Sequence, residues 1–230
     1  MALKIIASYD GTANEDDALA LARVLAQAGA EVSIAYVRHT HEPDSQEETL
    51  AQAEAEELVS RGVELLGVPG AQKHVVTDRS TPAGLGALAE QLGASVIVFC
   101  SDSHTAKGHI GVGNSAQRLL DGGRTAIAVA PAGLAHAGGS VRQIVAVGQA
   151  GGGAAATAKA LAGALGASVA PVANEDTDLL VFDSRSEAEQ GQVSLSSSAT
   201  HLIEIATSPV LVLARGLPLQ FAGTAATAAA

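Results

Sequence analysis

VIVFCSDSHTAKGHIGVGNSAQRLL, Val96 to Leu120, decides how the rest of the chain reads. It opens on an apolar β-type run, Val96–Phe99, passes through Ser, His and Gly residues, and closes on Ser115–Leu120, which reads as helix. Gly108, Gly111 and Gly113 can take φ > 0 without a Cβ penalty, so the loop can turn its N–H groups inward. Asn114 or Ser115 is expected to cap the helix, whose first N–H groups lack internal partners and carry the positive end of the dipole. A phosphate suits such a place. A solvent loop whose glycines only turn the chain is the plainer alternative. Neither Gly-Lys-Ser/Thr nor G-x-G-x-x-G occurs here, so neighbouring segments must decide.

Upstream, strands and helices alternate. Lys4–Tyr9 is a strand-like run stopped by Asp10-Gly11-Thr12; Glu15–Ala28 carries Ala18, Leu21, Ala22 and Leu25 at helical spacing. Val32–Val37 is the second strand, Glu47–Leu66 a long helix, Val75–Thr77 a short third strand, and Ala83–Leu92 a third helix. Downstream, Ala126–Ala130 is the fifth strand, stopped at Pro131. Strands joined by helices of this length form right-handed βαβ units, so the pattern predicts an α/β fold with an open, doubly wound parallel sheet. Ligands of such sheets bind beyond the C-terminal strand ends at the switch point, where Asp10 and the Cys100–Ser115 loop would meet. The balance moves toward a ligand site.

The composition sets bounds on function. With 47% hydrophobic residues, 2% aromatics and no Trp, the core of this 230-residue chain must be Ala, Val, Leu and Ile, which suits buried parallel strands. A net charge of −11 argues against a general nucleic-acid or anionic-membrane surface, because both need basic patches. No apolar run is long enough to span a bilayer, and MALKIIASYD enters a strand without a signal-peptide core, so a cytoplasmic protein is expected. The single Cys100 excludes an internal disulfide and agrees with a reducing compartment.

After a Gly-rich segment the chain repeats itself. IVAVGQAGG at 144–152 echoes IIASYDGTA at 5–13, LLVFDSRS at 179–186 echoes VIVFCSDS, LSSSATHLI at 195–203 echoes VGNSAQRLL, and SPVLVLARG at 208–216 echoes TAIAVAPAG. Gly29 and Gly166 are 137 positions apart, but Phe99 and Phe182 only 83, so the second copy lacks 54 residues between its second and fourth strands. The expected division is a complete domain at 1–133, a linker at 134–140, a shortened domain at 141–216, and a tail at 217–230 with no assigned fold. The fifth strands, Ala126–Ala130 and Val210–Leu213, are expected to face each other and pair or pack across an internal pseudo-twofold, an internal pseudo-dimer. Only Ala173–Thr177 separates Val172 from Asp178, too little for a parallel crossover, so the copy's second strand should end near Ala170, where Pro171 lacks a ladder N–H.

Tyr9-Asp10-Gly11-Thr12, Ser80-Thr81-Pro82-Ala83 and Gly113-Asn114-Ser115-Ala116 followed by Arg118-Leu119-Leu120 resemble the motifs of the universal stress protein family in its tandem form. That resemblance implies the adenine-nucleotide alpha hydrolase-like fold in two tandem domains, an ATP cofactor with Mg²⁺, and a stress-response role. It also implies that Asp10 and Gly11 hold the adenine side, that Val37 lines the base, and that Gly108, Gly111, Gly113, Asn114 and Ser115 receive the phosphates. Counting back from Gly113, the two earlier glycines of the family's G-x-x-G fall on Ser103 and Cys100. In the second copy Asp10 becomes Gln149, Gly113 becomes Ser196, and Cys100 and Ser103 become Asp183 and Ser186, so nucleotide is expected in the first domain alone.

Three other arrangements are open to these residues. Cys100 near a helix N-terminus would make a redox-sensing thiolate, or else a small half-buried hydrophobe. His39-x-His41 with Glu42 and Asp44 would hold a metal, or else form a polar loop. Asp102, Ser103 and His104 would serve as a hydrolytic trio only if space brought them together. Glu47, Glu48, Glu54, Glu56 and Glu57 read as a solvated helix face. The expected function is a cytoplasmic adenine-nucleotide sensor, no enzyme or at most a slow ATPase, with an unidentified regulatory protein partner and the option of a homodimer. The alternatives are a ligand-free interaction scaffold and, last, a nucleotide-hydrolysing enzyme.

Overall fold

The computed structural model describes residues 2–12, 14–39, 45–138 and 140–222. The first half runs β1 (Lys4–Ser8), α1 (Glu15–Gln27), β2 (Glu31–Arg38), α2 (Ser45–Leu66), β3 (Gln72–Thr77), α3 (Thr81–Leu92), β4 (Val96–Cys100), α4 (Asn114–Leu120), β5 (Ala126–Ala130) and α5 (Leu134–Ala137). The second half runs β6 (Gln143–Val147), α6 (Gly153–Leu165), β7 (Ser168–Ala170), β8 (Leu179–Phe182), α7 (Ser197–Glu204) and β9 (Val210–Val212).

Two sheets were expected, and they merge into one of nine strands in the order β3-β2-β1-β4-β5-β9-β8-β6-β7. All neighbours are parallel except at the centre, where β5 and β9 pair antiparallel with Ile127 opposite Val212, Ala128 opposite Leu211 and Val129 opposite Val210. The expected facing of the fifth strands is therefore a backbone ladder. Alternate strand residues feed two apolar layers. Ile5, Ala7, Val96, Val98, Ile144 and Val181 lie on the face covered by α1, α2 and α6, while Ile6, Ile97, Phe99, Ile127, Phe182 and Val212 lie on the other. Each layer contains residues of both halves, and buried small aliphatics supply the area that the scarce aromatics do not.

The shortened copy behaves as chain length requires. β7 and β8 flank β6 on opposite sides, both parallel to it, and β7 stops at Ala170 before Pro171. The return holds together through short-range bonds: the Asn174 and Asp176 N–H groups donate to Thr177 Oγ1 and Asn174 Oδ1, and Asp178 Oδ2 accepts from the Arg142 and Gln143 N–H groups. Among the described residues no strand corresponds to β3, and Val169 is 46% and Val172 71% exposed at this edge.

Two expectations are corrected. Residues 134–137 of the supposed linker form a helical turn docked on α1, because the buried Asp17 carboxylate accepts the Gly133 and Ala135 N–H groups, each at 2.7 Å. The tail also has structure at its start: the Leu219 N–H donates to Thr157 Oγ1 of α6 at 2.9 Å, and Leu219 and Phe221 are buried against the α6 face. The described start of the tail thus covers α6 as α5 covers α1.

Candidate functional site

β1 and β4 are adjacent, with their helices leaving in opposite directions along the sheet, so their C-terminal ends open a cleft. The cleft has a volume of 280 Å³, near the lower end of small-molecule sites, which run from about 300 Å³. Of the residues expected to bind, Asp10, Cys100, Ser103, Gly113, Asn114 and Ser115 line it. Four do not. Val37 is 4% exposed and packs its methyl groups against the place a Cβ would occupy on Gly84, so it belongs to the core between β2 and α3. Gly11 lies outside the lining at a positive-φ turn, its N–H given to Glu15. Gly108 is the only one of the three loop glycines with positive φ, at +79°. Gly111 is required for space rather than for φ, since a Cβ there would meet Thr105 Oγ1 at 2.1 Å.

The loop is held from within. Ser101 Oγ donates to the Ala130 carbonyl at 2.7 Å and accepts the Gly111 N–H at 3.2 Å, while the Asp102 N–H reaches the Gly111 carbonyl at 2.8 Å. Asn14 Nδ2 fastens the β1–α1 turn to this loop through the Asp102 carbonyl at 2.9 Å. Capping differs from expectation: α4 starts at Asn114 with Gly113 as its N-cap, and no side chain caps it. Neither Asn114 nor Ser115 spends its hydroxyl or amide oxygen there.

Glu15 is the residue that sequence reading missed. It had the look of an ordinary first-turn acid, yet it is 3% exposed and its Oε2 accepts the N–H groups of Asp10 and Gly11, the latter at 2.6 Å. Burial, then the neighbouring Asp10 charge, pushes its carboxyl up to about 9. The signal was present in Asp10-Gly11 followed four residues later by an acid, a spacing that lets a helix carboxylate fold back onto a turn.

Of the two readings of Cys100, the structure supports the partly buried hydrophobe. Burial, with the Glu15 and Asp10 charges behind it, pushes the thiol up to about 12, the reverse of a thiolate sensor. Its alkylation by iodoacetamide at pH 8 should run about a thousandfold slower than that of free cysteine, because the thiolate fraction falls tenfold per pKa unit. The rate at which the chain gains one carbamidomethyl group, followed by intact-mass spectrometry, reads this directly. The hydrolytic trio is not assembled either: Asp102 Oδ1 accepts the backbone N–H of His104 at 3.1 Å, which closes a local turn. Of the metal proposal, His39 bonds through Nε2 to Thr81 Oγ1 at 3.1 Å, while His41, Glu42 and Asp44 lie outside the described residues. Among the described residues no group of three or more metal-ligating side chains occurs. None of the described helices is long and apolar enough to cross a membrane.

Beside the cleft, and sharing Thr81, Asn114 and Ser115 with it, is a second hollow of 260 Å³ lined also by His39, Arg79, Ser80, Pro82 and Arg118. Through these shared residues the two make a groove with the Asp10 carboxylate at one end and Arg79 and Arg118 at the other.

The second half has a larger hollow of 580 Å³ at the corresponding strand ends. Asp183 occupies its inner wall, and its Oδ1 accepts the Ala154 N–H at 2.7 Å. Its carboxylate sits within 2.3–2.9 Å of where Cβ atoms would stand on Gly148, Gly152 and Gly153, so these three positions admit nothing larger than glycine without displacing it.

No protein-family model matches the sequence, and no curated protein is similar to it. Solved structures do match. A universal stress protein from Archaeoglobus fulgidus DSM 4304 superposes with a TM-score of 0.69 at 14% identity, covering 93% of this chain and 98% of its own. A functionally unknown protein from Pseudomonas aeruginosa PAO1 gives 0.64 at 14% identity, covering 93% of each chain. On these superpositions the chain has the universal stress protein fold over nearly its whole length.

Proposed function

We propose that the first half binds an adenine nucleotide, one per chain, with the base and ribose toward Asp10 and the phosphates, with Mg²⁺ as counter-ion, toward Gly113–Ser115. The observation that carries this reading is the single groove formed by the two hollows, whose ends differ in charge as the two ends of a nucleotide do. Asp10 is exposed at its rim, with Oδ1 accepting the Thr12 N–H at 3.0 Å. In the second half Asp183 places a carboxylate where phosphates would lie, which favours one site over two. The nucleotide acts as a signal in this reading and is turned over slowly at most. The setting proposed is the cytoplasm during stress, which suits a lone thiol in a reducing compartment.

Titration of ATP into the full chain, followed by native mass spectrometry and thermal denaturation, tests the proposal. The expected result is one nucleotide per chain and a midpoint that rises with ATP concentration, since a ligand of the folded state stabilises by mass action. Asp10→Ala should weaken ATP about tenfold, the loss of one charge-assisted hydrogen bond, with an unaltered circular dichroism spectrum. Two nucleotides per chain, or an Asp10→Ala affinity equal to wild type, contradict it.

A second reading, a regulatory protein partner, is favoured by Val169 and Val172 standing exposed beside the β7 edge. Retention of partner binding by a chain carrying Val172→Lys would remove that edge from consideration.

A further inference from the structure

We infer that Arg79 and Arg118, from the β3–α3 turn and from α4, form an oligophosphate-binding corner at the basic end of the groove. The inference rests on the nucleotide reading above for the identity of the ligand, but the corner is argued from its own residues. Both guanidinium-bearing side chains line the 260 Å³ hollow together with His39 and Ser115. Among the described residues neither arginine makes a hydrogen bond or ion pair, although the chain carries 24 acidic side chains against 13 basic ones.

The acids nearest in sequence are committed elsewhere: Asp78 Oδ1 accepts the Ser80 N–H at 2.9 Å, and both Asp121 oxygens accept from Gln117 Nε2 at 3.1 Å. Two cations left without acid partners on one concave surface of an acidic protein call for an anion from outside. Guanidinium forks match the paired oxygens of phosphoryl groups, and two forks from separate elements suit a chain of phosphates more than one. The acidic end supports this direction. With the Asp10 carboxylate at the opposite end, phosphates placed there would meet a negative charge, so the charge gradient along the groove orients the ligand. The corner therefore sets a preference for tri- over monophosphate.

Isothermal titration of the full chain with sodium tripolyphosphate, ATP and AMP tests this, comparing wild type with the double variant Arg79→Gln/Arg118→Gln. Both arginines are exposed, so the variant should keep its circular dichroism spectrum and melting midpoint. Wild type is expected to bind tripolyphosphate with an affinity that falls as salt is raised, and to bind ATP more tightly than AMP. The double variant should lose at least about tenfold in tripolyphosphate affinity, and its ATP-to-AMP preference should collapse toward one. Absence of tripolyphosphate binding by wild type, or equal affinity in the variant, overturns the corner. ATP binding with a preference untouched by the two substitutions overturns it while leaving the nucleotide reading standing. Arginine-dependent tripolyphosphate binding with no gain from the adenosine moiety does the converse.

Discussion

Phe182→Ala should lower the stability of the entire chain by about 3–5 kcal/mol, the usual cost of truncating a buried Phe, and should do so without splitting the unfolding curve. Phe182 is fully buried at the end of β8, opposite Val147 of β6 and Val212 of β9. Removing the ring leaves a cavity that a sheet pinned on both sides cannot collapse around. The loss should spread because the second half is not a separate globule. Its β9 is laddered to β5, and the apolar layer containing Phe182 also holds Ile6, Ile97 and Ile127 of the first half. Urea unfolding followed by circular dichroism reads both claims. One transition with a lowered midpoint and unchanged slope is expected. A variant that unfolds in two steps, with the first half surviving at its wild-type midpoint, would show the joint to be mechanically silent.

Glu15→Gln is expected to make the protein more stable in alkali and to flatten its pH dependence. The folded state holds the Glu15 proton far above the ordinary carboxylate range of 4.5, up to about 9. Folded chains therefore bind more protons than unfolded ones between those values, and stability falls as pH rises through that window. Below it, wild type and variant should melt alike. Glutamine keeps a carbonyl oxygen for the Asp10 and Gly11 N–H groups and carries no charge to confront Asp10. At pH 9 the variant should thus exceed wild type by about 1 kcal/mol or more, each pKa unit being worth about 1.4 kcal/mol at the limit. Thermal midpoints at pH 5, 7 and 9 measure it. A wild type whose midpoint rises steadily over that range would show that Glu15 is ionised in the fold.

The arrangement of strands was legible because its causes are local. Apolar runs of strand length such as Val96–Phe99 alternate with amphipathic helices, and the repeat of that alternation marks the second copy and its excision. Even the early end of β7 followed from chain length and one proline. Turn residues were harder. Gly108 and Gly111 look alike in sequence, but one supplies a left-handed φ and the other clears space for Thr105.

The candidate site was legible in part, and the residues that divide it show why. Asp10, Cys100, Ser103 and Gly113–Ser115 meet at the cleft because strand ends and switch points follow from topology, and topology follows from periodicity. Val37 falls in the core because its depth depends on where α3 lies, which no local pattern states. Glu15 and Asp17 were harder to place for a related reason: each is a polar side chain satisfied by N–H groups of distant or folded-back backbone, and burial turns each from a first-turn helix acid into an anchor. The sequence by itself determined the alternation, the duplication, the missing 54 residues and the chemistry available at the strand ends. Tertiary structure alone decided that two sheets become one through β5 and β9, and that Arg79 and Arg118 share a hollow with no acid partner among the described residues. Those outcomes depend on pairs remote along the chain, whose mutual distance is set by packing and not by any spacing of residues.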